Sequence, residues 1–203
     1  MMSGFSLINL NDMLQELGED KLKIILSSYL CPYNQDIEYF LNDKAIEFSK
    51  QGIAATHLVF TSHKNKPVLI GYFTLANKFI FIPQKLFSKS KALKKRIAKF
   101  GIRQETGYSL GTPLIAQLGK NYTNNYNTLI TGDELLYLAI NKVKQIQSDI
   151  GGRFVYLECE DIEKLVDFYS SNGFLNFGQR DLDPDEKGRI KGTYLIQMLK
   201  YIH

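Results

Sequence analysis

The stretch RFVYLECEDIEKLVDFYSSNGF, residues 153–174, decides the fold class. Its first part, Arg153–Glu160, is apolar and aromatic, which predicts a buried strand. The following residues, Asp161–Tyr169, have apolar side chains at helical spacing. Asn172-Gly173 then predicts a tight turn, after which Phe174 begins a return strand that packs on the core. A strand, a short helix that ends in a tyrosine, and a second strand therefore follow one another directly.

The residues before this stretch predict a second strand–loop–helix unit. Pro113–Lys120 has the apolar content of a buried strand, and the polar loop NYTNNYNTLITG follows it. Asp133–Gly151 is the strongest helical pattern in the chain, with Thr131 or Gly132 as its cap. Acidic side chains in its first turn favour the positive end of the helix dipole. Free backbone N–H groups at this end make it a potential anion site.

The first half of the chain predicts helices followed by a hairpin. A less regular helical pattern over residues 6–30 predicts a helical N-terminal segment, 1–30. Asn34 is a suitable N-cap for a second helix, which should stop at Gly52. Two apolar runs, Ala55–Thr61 and Val68–Ala76, are joined by the short polar turn SHKNKP, a pattern typical of a β-hairpin.

Taken in order, these elements and a last strand, Gly192–Ile202, predict a mixed α/β sheet. Strand–helix–strand order in the second half predicts parallel neighbours with a right-handed crossover. A length of 203 residues favours one domain. The N-terminus lacks the features of a signal peptide, and no apolar run reaches the roughly 18 residues of a membrane helix. The two cysteines form no spacing motif, so we expect a reduced cytoplasmic protein without a metal motif.

Charge is distributed unevenly along the chain. From Phe48 to Gln104 there is no Asp or Glu, whereas this segment contains twelve Lys or Arg residues. Within it, SKSKALKKRIAKFG predicts a surface helix with Leu93, Ile97 and Phe100 on one side. A block of one sign favours an anionic partner, although a solvated basic helix is an equally good interpretation.

Three parts of the sequence resemble the GNAT superfamily of acetyl-CoA-dependent N-acetyltransferases. LIAQLGKN, a loop and TGDELL resemble its cofactor-binding strand, loop and helix, and RFVYLEC followed by DFYSSNGF resembles its late strand and F/L-Y-x-x-x-G-F signature. IEYFLNDKA, GIAATHLVF and IGYFTLA are similar to a narrower branch, the acetyltransferase toxins of bacterial toxin–antitoxin pairs. The resemblance covers roughly residues 30–200. It departs from the superfamily's Q/R-x-x-G-x-G/A loop, because Asn127 takes the Gln/Arg place and Ile130 the first Gly place, while Gly132 matches. Ile162 also stands where many members have Asn.

The resemblance implies one GNAT-like domain, 1–203, with a basic insertion at about 84–108. Its sheet should be mixed and mostly antiparallel, flanked by helices, with a parallel strand pair splayed around the cofactor site. Acetyl-CoA should bind with its pyrophosphate at the loop 126–132, and strand residues near Leu118 and Lys120 should orient its pantetheine. The implied cofactor-binding residues are Leu118, Lys120, Asn127, Thr131, Gly132 and Asp133.

The same resemblance places Tyr169 over the thioester as the acid that protonates the departing CoA thiolate. A tyrosine hydroxyl has an unperturbed pKa of about 10, so it is better suited to donating a proton than to acting as a general base near neutral pH. The alternative is that Tyr169 only fills the core beside Phe168. Glu158 and Glu160 face the same side of their strand, where a solvated surface pair is favoured over a base. Cys159 is expected to be a buried strand cysteine rather than a nucleophile.

We therefore expect an acyltransferase that moves an acetyl group directly from acetyl-CoA to an amine. The toxin branch implies aminoacyl-tRNA as the acceptor, and a small amine or a protein remains the alternative. A non-catalytic GNAT-fold binding module is the second class of function. The resemblance also implies an antitoxin protein and a homodimer as partners. The residues expected to contact tRNA are Lys89, Lys91, Lys94, Lys95, Arg96 and Lys99.

Overall fold

The computed structural model describes residues 4–89 and 91–202, except for the side chains of 87–89. The chain forms two compact units, each assembled from three separate stretches. The first unit comprises Met1–Ala76, Ile115–Asn141 and Asp183–Lys191, and the second comprises Asn77–Leu114, Lys142–Leu182 and Gly192–His203.

Seven α-helices and eight strands occur within the described residues. The strands are β1 Phe5–Asn9, β2 Ala55–His63, β3 Lys66–Pro83, β4 Ile102–Gln104, β5 Gly107–Lys120, β6 Phe154–Glu160, β7 Leu175–Asp181 and β8 Tyr194–Tyr201. The α-helices are α1 Leu10–Leu17, α2 Glu19–Leu26, α3 Gln35–Tyr39, α4 Ala45–Lys50, α5 Lys91–Phe100, α6 Gly132–Ile150 and α7 Glu163–Ser171. No described helix has both the length and the apolar character that crossing a membrane requires.

The predicted hairpin is confirmed in the first unit, where β1, β2, β3 and β5 are neighbours in that order. β2 and β3 are antiparallel, with His63 opposite Lys66. The two turn residues, Lys64 and Asn65, have φ values of 51° and 61°. Positive φ at both central positions gives the turn a twist that matches the flanking strands. β3 continues beyond the predicted end at Ala76 as far as Pro83.

The prediction of a helical segment over residues 1–30 is only partly right. Residues 1–3 lie outside the described part of the chain, and β1 precedes the two helices that the pattern indicated. The five residues of β1 have no clear alternation of buried and exposed side chains. Their strand conformation comes from pairing with β2, in which Phe5 lies opposite Thr61. Such pairing is a tertiary contact that local propensity does not record.

The helix predicted after Asn34 forms, but with an internal change of pitch. The Asn34 side chain accepts hydrogen bonds from the backbone N–H groups of Asp36 and Ile37 at 3.0 and 3.1 Å. A five-residue π-helical turn, Phe40–Lys44, then separates α3 from α4. Around this turn, the buried side chains of Leu41, Ala45 and Ile46 belong to one core with Leu10, Leu22 and Leu26 of α1 and α2 and with residues of the sheet.

β3 and β5 are divided between the two units, at Ala76/Asn77 and at Leu114/Ile115. The strand order through the second unit is β3, β5, β6, β8, β7. The sheet is mostly antiparallel with one parallel pair, which confirms the predicted mixed α/β class. The prediction that the last strands are parallel neighbours is wrong for β6, because β8 lies between β6 and β7 and is antiparallel to both. After α7, the chain forms β7 at the edge of the sheet and not beside β6. The last strand, β8, then lies between β6 and β7.

The basic insertion has more structure than its sequence predicts. β4 and the start of β5 form a short antiparallel hairpin, so β5 begins at Gly107 instead of Pro113. The predicted basic helix is confirmed as α5, and its Ile97 is fully buried, with Leu93 and Phe100 packed against the same core. That core includes Phe154 and Tyr156 of β6.

Candidate functional site

A hydrogen bond in the first unit joins the predicted cofactor strand to the predicted cofactor loop. Lys120 ends β5, and its ammonium group donates to the backbone carbonyl of Asn127 at 3.0 Å. Leu118 lies two residues earlier on the same side of the strand and is half-buried. The structure therefore brings Lys120 and Asn127, two of the predicted cofactor-binding residues, into contact.

The predicted polar loop is a compact anchored segment. Residues Thr123–Leu129 form 3-10 turns, interrupted by Asn124 and Asn125 with φ values of 50° and 62°. Asparagine is one of the few residues other than glycine that adopts this left-handed conformation readily. The buried Asn121 side chain accepts from the backbone N–H groups of Thr123 and Leu30 at 3.0 and 3.1 Å. These bonds fix the conformation of the loop.

A capping box forms the start of α6. The Thr131 hydroxyl accepts from the backbone N–H of Glu134 at 3.1 Å, and the Glu134 carboxylate accepts from the Thr131 N–H at 2.8 Å. Hydrogen bonds from the backbone and side chain of Thr131 lower the pKa of Glu134. Thr131 is therefore the cap, Gly132 is the first helical residue, and Asp133 is exposed. The cap adds a carboxylate at the end of the helix that should attract the pyrophosphate.

Ile130, which replaces a glycine of the superfamily loop, is turned away from solvent. Its backbone is extended, with φ of −147°, and its side chain is only 2% exposed. A side chain buried in the core does not cover the backbone N–H groups of the loop. The substitution is therefore compatible with an approaching phosphate group.

The opposite face of β5 packs tightly against α3. A Cβ atom at Gly119 would overlap the Tyr29 hydroxyl and a methyl group of Ile37. Two residues earlier on this face, the Gln117 amide donates to the Asp36 carboxylate at 3.0 Å. Asp36 also forms an ion pair with Arg189, at 3.4 Å between Oδ1 and Nε. Sequence patterns did not single out Asp36, because its partners are distant in sequence.

Tyr169 lies in the second unit, in the last turns of α7, which continues to Ser171. It is 9% exposed, and its ring meets Phe168 and Phe174 edge-on at 5.0 and 5.9 Å between centroids. Burial, and secondarily the nearby Cys159 thiol, raises the pKa of Tyr169 above its ordinary value. A phenol with a raised pKa stays protonated at neutral pH, which excludes a phenolate base, and the raised pKa also makes it a weaker acid than an ordinary tyrosine.

Cys159 has the properties predicted for a structural cysteine. It is a free, buried cysteine on β6. Burial, followed by the charges of Asp161 and Glu160, raises the pKa of the thiol to about 11. Because the thiolate is the nucleophilic form, Cys159 is unreactive near neutral pH.

Glu158 is the centre of a polar cluster, which corrects the expectation of a solvated surface pair. Arg180 binds both carboxylate oxygens, through Nε at 2.8 Å and Nη2 at 2.7 Å. The Tyr156 hydroxyl also donates to Glu158 and accepts from the Gln197 amide at 2.9 Å. Burial alone would raise the pKa of Glu158, but the bonds from Arg180 and Tyr156 outweigh it and lower the pKa. Glu160 is buried as well, so neither glutamate is a solvated side chain.

The sequence missed this cluster because the partners of Glu158 come from different strands. Tyr156 and Glu158 lie on β6, Gln197 on β8 and Arg180 on β7. The alternation of residues on β6 correctly indicates a shared face for Glu158 and Glu160. Only the pairing of β7 with β8 brings Arg180 to Glu158.

The basic helix α5 exposes five of the six cations expected to contact tRNA: Lys91, Lys94, Lys95, Arg96 and Lys99. Lys89 ends the preceding 3-10 helix, and its side chain lies outside the described residues. The Arg96 guanidinium stacks over the Tyr201 ring at 4.4 Å. Lys94 and Arg103 line a small polar cavity of about 110 Å³ beside the β4–β5 hairpin. The second unit thus presents an exposed cationic face.

Within residues 4–89 and 91–202, no group of three or more His, Cys, Asp or Glu side chains converges as a metal site would. A larger cavity of about 390 Å³ in the second unit is lined by Phe79, Phe100, Gln147 and Arg153, among others. None of the predicted site residues lines it.

The fold is that of the GNAT acetyltransferase toxins. A structure of KacT with a Tyr-to-Phe substitution has a TM-score of 0.62 at 14% identity, covering 96% of this chain and 94% of that one. AtaT complexed with acetyl-methionyl-tRNAfMet has a TM-score of 0.60 at 15% identity, covering 95% and 93%. AtaTR bound with acetyl-CoA has a TM-score of 0.56 at 15% identity, covering 97% and 94%. No family model and no curated protein matches the sequence.

Proposed function

We propose that this protein transfers the acetyl group of acetyl-CoA to an amine. The observation that carries the proposal is the similarity of nearly the whole chain to AtaT, which has been solved with acetyl-CoA and with acetyl-methionyl-tRNAfMet. Several residues of the chain fit such a function. A capped helix follows an anchored loop in the first unit, and a buried tyrosine lies in the last turns of a helix in the second.

In this proposal the cofactor site belongs to the first unit. Backbone groups of β5 near Leu118 and Lys120 would orient the pantetheine, and the loop with Asn127 and Thr131–Asp133 would receive the pyrophosphate. Ile130 leaves the loop backbone uncovered, since its side chain is buried. Acetyl-CoA supplies the activated thioester, and the protein supplies orientation and an electrostatic environment for its carbonyl.

Tyr169 is the proposed catalytic acid. The neutral amine attacks the thioester carbonyl, so that a C–N bond forms and the C–S bond breaks. The proton lost by the amine passes to solvent, and the departing CoA thiolate takes the proton of the Tyr169 hydroxyl. The phenol is then reprotonated from water, which returns the site to its starting state. The raised pKa of Tyr169 keeps the hydroxyl protonated at neutral pH and also makes it a weaker acid than an ordinary tyrosine.

The acceptor in this proposal is the amino group of an aminoacyl-tRNA. The exposed cations of α5, without an acidic residue on that helix, provide the phosphate contacts that RNA binding requires. A small amine or a protein is the alternative acceptor. AtaT has also been solved with the C-terminus of the antitoxin AtaR, and an antitoxin is a proposed partner here, as is a second copy of this chain.

The second candidate function is a non-catalytic module that keeps the fold. The Glu134 carboxylate at the start of α6 favours it, because a negative charge there opposes a bound phosphate. Calorimetry with acetyl-CoA, followed by a thiol-release assay with aminoacyl-tRNA and small amines, separates the two functions. Binding with thiol release supports the enzyme. Binding without release, for every acceptor, would leave only the module.

A further inference from the structure

Four side chains of the first unit form a polar cluster on the face of β5 that packs against α3. The Asp36 carboxylate accepts from the Gln117 amide at 3.0 Å and pairs with Arg189 at 3.4 Å. The Arg189 guanidinium also lies over the Tyr39 ring, 4.3 Å from its centroid. A carboxylate and an aromatic face thus contact one positive charge, and the Gln117 amide binds that carboxylate.

This arrangement has the chemistry of a cation site. A carboxylate supplies charge, the face of a tyrosine ring attracts cations through its quadrupole, and partial burial strengthens both. The Asp36 side chain is 19% exposed and that of Arg189 is 31% exposed, so the pair is shielded and still reachable. Gln117 holds the carboxylate in place from β5, the strand that carries Leu118 and Lys120.

Arg189 reaches this site from a segment with little regular structure. Residues 182–193 contain turns and an isolated bridge in place of helix or strand. The Arg189 Nη2 group donates to the Asp185 carbonyl of the same segment, and Gly188 and Gly192 have φ values of 88° and 96°. Arg189 therefore lies on an irregular segment, 182–193, whose movement would not disrupt a helix or a strand.

We infer that Asp36, with Gln117 and Tyr39, is a binding site for the positively charged primary amine of the acceptor, and that Arg189 occupies this site when no acceptor is bound. The inference rests on the proposed transfer to an amine. Asp36 is a positioning residue in this role: it would hold the protonated amine on the face of β5 opposite to Leu118 and Lys120, before the amine loses a proton and attacks. Arg189 resembles a protonated amine in charge, so it keeps the carboxylate paired and the empty site closed.

The first test measures binding and needs no turnover. The probe is methionine methyl ester, a primary α-amine that is largely protonated below its pKa, which is about 8 for such groups. N-acetyl-methionine methyl ester is the matched neutral probe. Dissociation constants come from NMR titration of the wild-type chain and of Asp36→Asn, Arg189→Gln and Asp43→Asn. Asp43 is the control, because it is an exposed aspartate on the π-helical turn that joins α3 to α4.

We expect Asp36→Asn to weaken binding of the charged ester about 10- to 100-fold, the range for losing a hydrogen bond to a charged group. Arg189→Gln should tighten it several-fold, because it removes a competing cation. Asp43→Asn should leave it unchanged, and the neutral probe should not distinguish the four proteins. An equal effect of Asp36→Asn and Asp43→Asn would overturn the inference, as would weaker binding by Arg189→Gln.

The second test separates this inference from the proposed function. Steady-state transfer to the ester should show a raised KM for the amine in Asp36→Asn, with calorimetric affinity for acetyl-CoA unchanged. A purely structural role would instead lower the folded fraction and change both. If the wild-type chain binds the charged ester through Asp36 but transfers no acetyl group to any amine, the proposed function fails and the amine site stands.

Discussion

The two compact units differ in the sign of their charge. The first unit contains 10 Lys and Arg against 13 Asp and Glu, whereas the second contains 15 against 8. The predicted site for an anionic cofactor lies in the first unit. If acetyl-CoA binds there as proposed, net charge does not favour it, and local backbone groups and Lys120 are the proposed source of affinity. The second unit has the charge that suits a polyanion, so the proposed cofactor site and the proposed RNA surface fall in units of opposite net charge.

Carboxylates singled out in the two units also differ in their exposure. In the first unit, Glu134 and Asp36 lie in the first turns of helices and remain partly accessible. In the second unit, Glu158 has a side chain only 9% exposed and is bound by Arg180 through two hydrogen bonds. An accessible carboxylate can bind a ligand reversibly. A buried carboxylate paired with a cation on another strand has a structural role.

Loss of the Tyr169 hydroxyl should have the largest effect, and it tests whether chemistry belongs to the second unit. Tyr169→Phe keeps the buried ring, so packing should change little. Turnover should fall on the order of 10²–10⁴-fold, because the thiolate loses its proton donor, while acetyl-CoA affinity stays near wild type. The measurement is thiol release under saturating acetyl-CoA. Tyr137→Phe, at an exposed position of α6, is the control, and unchanged turnover in Tyr169→Phe would return this residue to a core-filling role.

A carboxylate at Gly132 should break the cofactor site of the first unit. Gly132→Glu adds bulk and a negative charge at the first residue of α6, so calorimetry should detect a loss of acetyl-CoA affinity of at least about 100-fold. Gly132→Ala adds only a methyl group and should bind within about threefold of wild type. Undiminished acetyl-CoA binding by Gly132→Glu would show that the pyrophosphate does not bind at the start of α6.

Removal of Arg180 should unfold the second unit more readily. Arg180→Met leaves the Glu158 carboxylate buried without its main partner, which should cost about 3 kcal/mol in the free energy of unfolding at pH 7. The folded-state pKa of Glu158 is lowered, so its stabilisation is present above the ordinary carboxylate pKa and is lost as pH falls through the folded value. Urea unfolding at pH 7 and pH 4 should therefore show a smaller difference from wild type at pH 4. A difference that grew at pH 4 would contradict the ion-pair explanation.

The basic face of the second unit should respond to salt. Lys91, Lys95 and Lys99 are spaced four residues apart on α5 and are exposed. Changing all three to Gln should flatten the slope of log K against log salt for tRNA by roughly one unit per lost phosphate contact. Charged and uncharged tRNA are compared across a salt series, with acetyl-CoA binding as the check on folding. Wild-type protein that binds no tRNA even at low salt would rule out the RNA acceptor.

The smallest effect concerns the acidic cap of the first unit. Glu134→Gln keeps the side-chain oxygen that a capping box needs and removes the charge. Acetyl-CoA affinity should rise about two- to fivefold, the scale of a single charge near a helix end. Asp149→Asn, near the other end of α6, should have no effect on calorimetric affinity. A weaker affinity in Glu134→Gln would mean that the carboxylate contributes to cofactor binding.

Local signals predicted most elements of the fold. The Asn34 cap, the hairpin turn and the helix after Thr131 were all predictable because their determinants lie within a few residues. The strand β1 and the order of β6, β8 and β7 were not, because both depend on pairing between distant segments. The roles of Tyr169 and of the loop 126–132 were predicted from a family resemblance and not from local signals. Asp36 and Arg180 acquire their partners only in three dimensions, so no spacing rule could identify them.

The π-helical turn Phe40–Lys44 sets the rotational phase of the segment before it. Each residue of an α-helix advances the azimuth by about 100°, and a π turn accommodates one extra residue without shifting the buried side chains that follow. Deleting one residue from this turn would restore a regular helix and would rotate Asp36 and Tyr39 by about 100° away from Gln117. The extra residue is therefore an angular offset: its deletion should separate Asp36 from Gln117, and so remove the proposed amine site, while Ala45 and Ile46 keep their places in the core.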